Sequence, residues 1–183
     1  MKKTTLFGLT TIFISIVACG QTTNKTSVPN NQVGLKTLKE NGYSIQYPGS
    51  WDLNKSGQMG TSFILFSKPA SPQDQFKENV NLIVQDLSGQ NLDLAKYVEI
   101  SEGQIKTMIT NGNLLESKKL SSNGVDFQRV VFTGKQGIYD LKFEQYYWVE
   151  KQKAFILTLT CEIKEFDKYK EAGEKILNSF KLN

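Results

Sequence analysis

The chain has 183 residues, with 22 Lys and Arg against 18 Asp and Glu, for a formal net charge of +4. A balance this close to neutral argues against nucleic-acid binding, which calls for a strongly basic face. There is no histidine, which removes the commonest general base, the commonest metal ligand and every His-dependent triad, and leaves a structural zinc site without ligands.

Lys2 and Lys3 precede an uncharged, largely apolar run from Leu6 to Ala18. The run suits the apolar core of a secretory signal and falls short of the about 20 residues that a bilayer span needs. Small Ala18 stands just before Cys19, after branched Ile16 and Val17. Ile16-Val17-Ala18-Cys19 resembles a bacterial lipobox. The resemblance implies that residues 1–18 are removed as a lipoprotein signal peptide and that Cys19 carries the lipid that holds the chain to the membrane. The alternative is an ordinary signal peptide in which the Cys is incidental. Gly20, in place of the Asp associated with inner-membrane retention, implies by the same resemblance the periplasmic side of the outer membrane, if the cell has one. Removing 1–18 takes away Lys2 and Lys3, the only charges of that segment, and brings the net charge closer still to neutral. What is left is of a size suited to one globular domain. Only Cys161 would then remain as a thiol, so no internal disulfide is expected.

Residues 19–37 read as the lipidated Cys and a tether, because Gly20 to Gly34 is polar and poor in apolar side chains. Its r.m.s. reach of roughly 20–25 Å lets a domain over 38–183 stand off the membrane surface. Tyr43 to Tyr47 alternates as a strand and is ended by Pro48-Gly49. Trp51 to Leu53 starts a second strand, with a turn over Asn54 to Gly57, and Ser62 to Ser67 reads as a strand covered on both faces. After a loop over Pro69 to Gln75, Asn79 to Leu87 is extended. Asn91 is placed to cap a helix whose apolar positions are Leu94, Tyr97, Val98, Ile105, Met108 and Ile109, with Asn111-Gly112 as the stop. Turns at Ser122-Asn123-Gly124, Lys135-Gln136-Gly137 and Glu150 to Lys153 separate Leu114–Leu120, Val125–Thr133, Ile138–Val149 and Ala154–Cys161 into a four-strand antiparallel meander. An amphipathic helix follows, with Phe166, Tyr169, Ile176, Leu177 and Phe180 on one side.

Strand periodicity gives Tyr139, Leu141, Phe143, Tyr147 and Val149 one face, and Phe155, Leu157, Leu159 and Cys161 another set of that kind. One sheet face is therefore expected to be strongly apolar and to receive the helices. The second is expected to be mixed, apolar near Ile156 and Trp148 and charged near Asp140 and Glu144. The fold class is α+β: an antiparallel sheet flanked by helices, one face fully covered and the other partly.

The segment Tyr43-Ser44-Ile45-Gln46-Tyr47-Pro48-Gly49-Ser50-Trp51 resembles the opening of the PsbP-like superfamily, aromatic, then apolar, then Tyr-Pro, then Trp. Asn79-Val80-Asn81-Leu82 resembles a later strand of that superfamily, and Leu157 to Cys161 with Ile176-Leu177-Asn178-Ser179-Phe180 resembles its C-terminal signature. The resemblance spans Gly42 to Leu182, and with the lipobox it is similar to DcrB-like and other PsbP-like bacterial lipoproteins. It implies an α/β/α sandwich, no established catalysis and a role as a binding or assembly factor. Metal ligation by His, known in some members, does not carry over to a chain without His.

Three residues stand out as binding candidates besides the lipidation site. Trp51 either lines a ligand cleft or plugs the edge of the core. Tyr146 and Trp148 point to the mixed face and form a partner-binding surface if exposed; the alternative is that a loop or the N-terminal segment covers them. Asp140 and Glu144 lie on one strand face at roughly 13 Å, too far for a coupled acid pair, and read as solvated charges. Asp126 and Arg129 read as ordinary surface charges. Cys161 aligns with Phe155, Leu157 and Leu159 and reads as an inert core thiol. Ser–Lys chemistry has no recognised spacing here. The expectation is thus a non-catalytic, lipid-anchored envelope domain without cofactors that binds or assembles another envelope protein, with a small-ligand or lipid-binding cleft between sheet and helix as the alternative.

Overall fold

The computed structural model describes residues 34–69 and 71–183; the expected signal peptide, Cys19 and nearly all of the expected tether lie outside them. Strand pairing is local wherever a two-residue turn can form. β1 (Leu35–Glu40) and β2 (Tyr43–Pro48) meet across Asn41-Gly42, with Gly42 at φ 101°, a left-handed value that favours glycine. The last strand, β10 (Lys181–Leu182), pairs with the other edge of β2 to complete a small sheet in the order β1-β2-β10.

β3 (Asp52–Asn54), β4 (Thr61–Phe66), β5 (Asn79–Asp86), β6 (Asn113–Ser122), β7 (Val125–Gln136), β8 (Tyr139–Glu150) and β9 (Lys153–Glu162) form an antiparallel sheet in the order β3-β4-β5-β9-β8-β7-β6. The expected meander is present, and its last strand slots beside β5 to join the two halves. The β6–β7 turn places Asn123 and Gly124 at φ 52° and 78°, the paired left-handed conformation that the Asn-Gly dipeptide accommodates. Lys151 and Gln152 adopt the same conformation between β8 and β9 at φ 50° and 58°; neither residue type announces it.

Helix α1 (Leu94–Met108) is capped by Asp93, whose carboxylate accepts the Lys96 N–H at 2.8 Å. Asn91, the expected cap, instead occupies the preceding turn at φ 49°. The helix runs unbroken through Ser101, whose hydroxyl donates to the Tyr97 carbonyl at 2.8 Å and is thereby satisfied when buried. Its exit requires Gly112, because a Cβ there would overlap the Ile105 carbonyl oxygen. α2 (Phe166–Asn178) follows a short 3-10 turn after β9. No helix among the described residues is long and apolar enough to cross a membrane.

Both faces of the large sheet are covered. On one, Val80, Leu82, Phe127, Tyr146, Trp148, Phe155, Leu157 and Leu159 pack with Phe166, Ile176 and Leu177 of α2 and with Tyr43, Ile45 and Tyr47 of the small sheet. On the other, Val130, Phe132, Tyr147, Ala154 and Ile156 receive Tyr97, Val98 and Ile105 of α1. The result is an α+β sandwich of the α/β/α type, with the small sheet sharing the α2 layer.

This arrangement corrects the expected division of faces. Each two-residue turn pairs residues i and i+3, so odd positions on one strand stand beside even positions on the next. Trp148 is opposite Phe155 and Tyr146 opposite Leu157, which puts the aromatic pair on the α2 face, and with it Lys142 and Glu144. The mixed, half-open face is not found among the described residues. The folded region also begins before residue 38: β1 starts at Leu35, and its mostly exposed side chains carry no alternation by which it could be read.

The connections gather at two ends. The proximal end holds the incoming chain at Gly34, the Pro48–Asp52 turn, and the β4–β5, α1–β6, β7–β8 and β9–α2 connections. The distal end holds the other turns, the C-terminus of α2 and Asn183, whose N–H donates to the Gly42 carbonyl at 3.0 Å.

Candidate functional site

An open groove of about 640 Å³ runs between α2 and the β1–β2 hairpin. Its floor is apolar, from Leu35 and Pro48 on the hairpin and Ala172 and Ile176 on the helix; Lys168, Glu171 and Lys175 stand along the helix side. Sequence spacing explains the helix lining, since positions 168, 172, 175 and 179 share one face at three- and four-residue intervals. The opposite face of α2 is pressed onto β9 at Gly173, where a Cβ would lie 2.5 Å from Leu159 Cδ2. Ser179 closes the far end of the groove: its Oγ accepts the Gln46 N–H at 2.8 Å and its hydroxyl lies 3.0 Å from the Gln46 carbonyl. The rim lysines are engaged in exposed pairs, Lys168 with Glu165 at 3.4 Å and Lys175 with Glu171 at 2.7 Å.

None of the three expected binding aromatics lies in this groove. Trp51, Tyr146 and Trp148 are all buried. Trp51 plugs the core below the Pro48 turn, its backbone N–H donating to the Pro48 carbonyl at 2.9 Å. Tyr146 hydroxyl donates to Asn178 Oδ1 at 3.2 Å, and burial, with the nearby Glu144 carboxylate, pushes its phenol up to about 12. Trp148 stacks on Phe127 at 5.3 Å and meets Phe180 at a tilt at 4.8 Å. The cover is the end of α2 and the Phe180 ring that follows it, so the covered alternative holds for Tyr146 and Trp148, although neither a loop nor the N-terminal segment supplies the cover. Cys19 lies outside the described residues.

The same face holds an ionic cluster that sequence reasoning missed. Arg129 Nε donates to Glu144 Oε1 at 2.7 Å, its Nη1 to Glu116 Oε2 at 2.8 Å, and its Nη2 lies 3.9 Å from Glu174 Oε1 on α2. Burial opposes the guanidinium charge, but the hydrogen bonds to Glu144 and Glu116 outweigh it and the net shift is upward. Glu144 is fully buried, and its Oε2 has no partner. Arg129 and Glu144 are therefore not solvated surface charges. Asp126 is, paired with Lys119 at 2.7 Å. Arg129 stands between Phe127 and Val131 on its strand face, but Glu144 shares its face with Lys142 as well as Tyr146 and Trp148, so the residue pattern did not single the pair out.

Near the proximal end, Glu78 is also fully buried. Ser67 hydroxyl donates to its Oε2 at 3.3 Å, and its Oε1 has no partner. Burial foremost, then the charge of Asp74, raises this carboxyl above its ordinary 4.5. A group raised in the folded state contributes stability that is complete below the unfolded value and is lost as pH rises through the folded one. The urea midpoint of the natural chain should therefore fall relative to that of Glu78→Gln as pH rises from below 4.5 past neutrality; parallel profiles would show that the carboxyl is not strained. Cys161 is buried, and desolvation pushes its thiol far up, which leaves no accessible thiolate. Among the described residues no three His, Cys, Asp or Glu side chains are grouped to hold a metal ion.

The groove is lined by apolar side chains and by the paired charges of α2. Comparison with known proteins agrees with the fold. The PsbP family model matches residues 34–182. The solution structure of cyanobacterial PsbP from Synechocystis sp. PCC 6803 superposes with a TM-score of 0.62 at 14% identity, covering 87% of this chain and 98% of that one. LpqN of Mycobacterium tuberculosis, described as involved in cell envelope biogenesis, gives a TM-score of 0.61 at 16% identity, covering 84% of this chain and 92% of its own. A protein of unknown function from Pseudomonas aeruginosa gives 0.56 at 13% identity, covering 79% and 94%. No curated protein matches the sequence. The Tyr-Pro-Trp opening, the helix-covered antiparallel sheet and a family match over the whole described domain lead to one assignment: the chain belongs to the PsbP family.

Proposed function

We propose that this chain is a non-catalytic, lipid-anchored domain of the bacterial cell envelope that binds or helps assemble another envelope protein, using the groove between α2 and the β1–β2 hairpin. The groove carries the reading: it is open and apolar-floored beside the point where the chain enters the domain, whereas Cys161, Glu78 and Glu144 are enclosed in the core. The lipobox-like Ile16–Cys19 segment supports the anchor, and the fold shared with LpqN supports the compartment. The test is a photocrosslinking side chain at Ala172 in growing cells. One recurrent envelope protein attached there, and lost when Leu35→Asp puts a charge on the exposed apolar wall of the groove, is the expected result. Attachment unaffected by that change would mean the contact lies elsewhere.

A second reading rests on the size of the same groove. A volume of about 640 Å³ falls within the range that holds a small ligand, and the apolar floor between Lys168 and Lys175 suits an amphipathic anion. Native mass spectrometry of the purified chain distinguishes the two: a retained small molecule favours the ligand reading.

A further inference from the structure

Six large hydrophobic side chains are exposed among the described residues, and they are not scattered. Leu53 and Leu115 lie on the edge strands β3 and β6. The other four, Leu35, Met108, Ile138 and Ile163, are all at the proximal end, with Ile138 79% and Leu35 72% exposed. None of the six is at the distal end, where the turns are Asn41-Gly42, Asn123-Gly124 and Lys151-Gln152. Turn tips ordinarily carry polar residues, and the distal end follows that rule while the proximal end breaks it. Two of the four flank one strand pair: β8 and β9 pair Leu141 with Glu162, Ile163 opens the 3-10 turn directly after β9, and Ile138 lies in the turn directly before β8. The rings of Phe76 and Tyr139, 5.1 Å apart, brace this tip from below. Exposed apolar side chains gathered at one end of a fold make that end a candidate contact surface.

Where the chain enters tells what that surface meets. Gly34 is at the same end, and only the short stretch from Gly20 to Val33 separates it from Cys19. Any lipid on Cys19 therefore holds a bilayer within the short reach of the proximal end and farther from the distal one. We infer that the proximal end rests on the bilayer that holds Cys19, with Ile138 and Ile163 inserted at the headgroup boundary. Charges there are mixed, Lys135 and Lys164 against Asp140 and Glu165, so the contact is apolar and insensitive to salt. This inference rests on the lipid anchor of the proposed function, and it replaces a domain standing off on its tether with one docked in a fixed orientation.

The test uses the full lipidated chain in vesicles of phosphatidylethanolamine and phosphatidylglycerol. An environment-sensitive fluorophore is attached at Ile138→Cys or Ile163→Cys, with Gln90→Cys at the distal end as control; Cys161 is buried and does not compete for label. With spin-labelled lipids in the bilayer, the labels at 138 and 163 should lose most of their emission at low and high salt alike, and the label at 90 should lose none. Equal quenching at both ends, or none in chains that still float with the vesicles, overturns the docking and leaves the anchor intact. Burial of the 138 label without quenching, arising only at high protein density, assigns the tip to a second copy and also overturns it. Failure to float overturns the anchor and the docking together.

Discussion

Replacing Arg129 with methionine lowers the stability of the domain by roughly 3–5 kcal/mol, the cost of leaving a buried charge without its partner. Glu144 is fully buried, one of its oxygens already lacks a partner, and Arg129 supplies the cation that faces the other. The change shows as a drop in urea midpoint at neutral pH. Two companions separate this cause from simple loss of packing. Glu116→Gln removes a partner that is half exposed and should change stability by less than about 1 kcal/mol. Arg129→Met with Glu144→Leu removes both charges and should recover most of the loss. If the double variant is no more stable than Arg129→Met alone, the stranded charge is not the cause.

Trp148→Ala should cost about 3–5 kcal/mol, the range for truncating a large core aromatic. Its ring joins Phe127 on β7 to Phe180 just after α2, and Phe180 in turn stacks on Tyr43 of the small sheet at 5.6 Å. The side chain therefore holds the α2 layer to the large sheet, and its loss should loosen β10 and the distal end of the groove together. Thermal unfolding followed by near-ultraviolet circular dichroism reads both effects. A variant with unchanged stability and reduced capture of a partner would return Trp148 to the surface role expected from its sequence neighbourhood.

Much of the architecture was legible in the residues. Asn123-Gly124 marked its turn because that dipeptide tolerates two positive φ angles, and the alternation through Tyr43–Tyr47 and Phe155–Cys161 marked strands because side chains on a pleated strand alternate. Other elements gave no such signal. β1 lies in the edge of the small sheet with most of its side chains in water, so nothing selects an apolar alternation. Asp93 and Asn91 both suit a cap, and only the backbone path decides which side chain reaches the Lys96 N–H. The groove was out of reach for the same reason: it lies between α2 and the β1–β2 hairpin, which stand at opposite ends of the described chain.

By itself the sequence determined both helices and the strands from Tyr43 to Cys161, the absence of histidine chemistry, the isolation of Cys161 and the family to which the order of motifs pointed, because each depends on composition or on neighbours a few residues apart. Tertiary structure alone decided which side of the sheet each aromatic faces and which charges are buried. Those outcomes turn on register. A two-residue turn exchanges odd for even positions between strands, so Trp148 joins Phe155 rather than Ile156, and Arg129 and Glu144 are carried beneath α2 instead of into water.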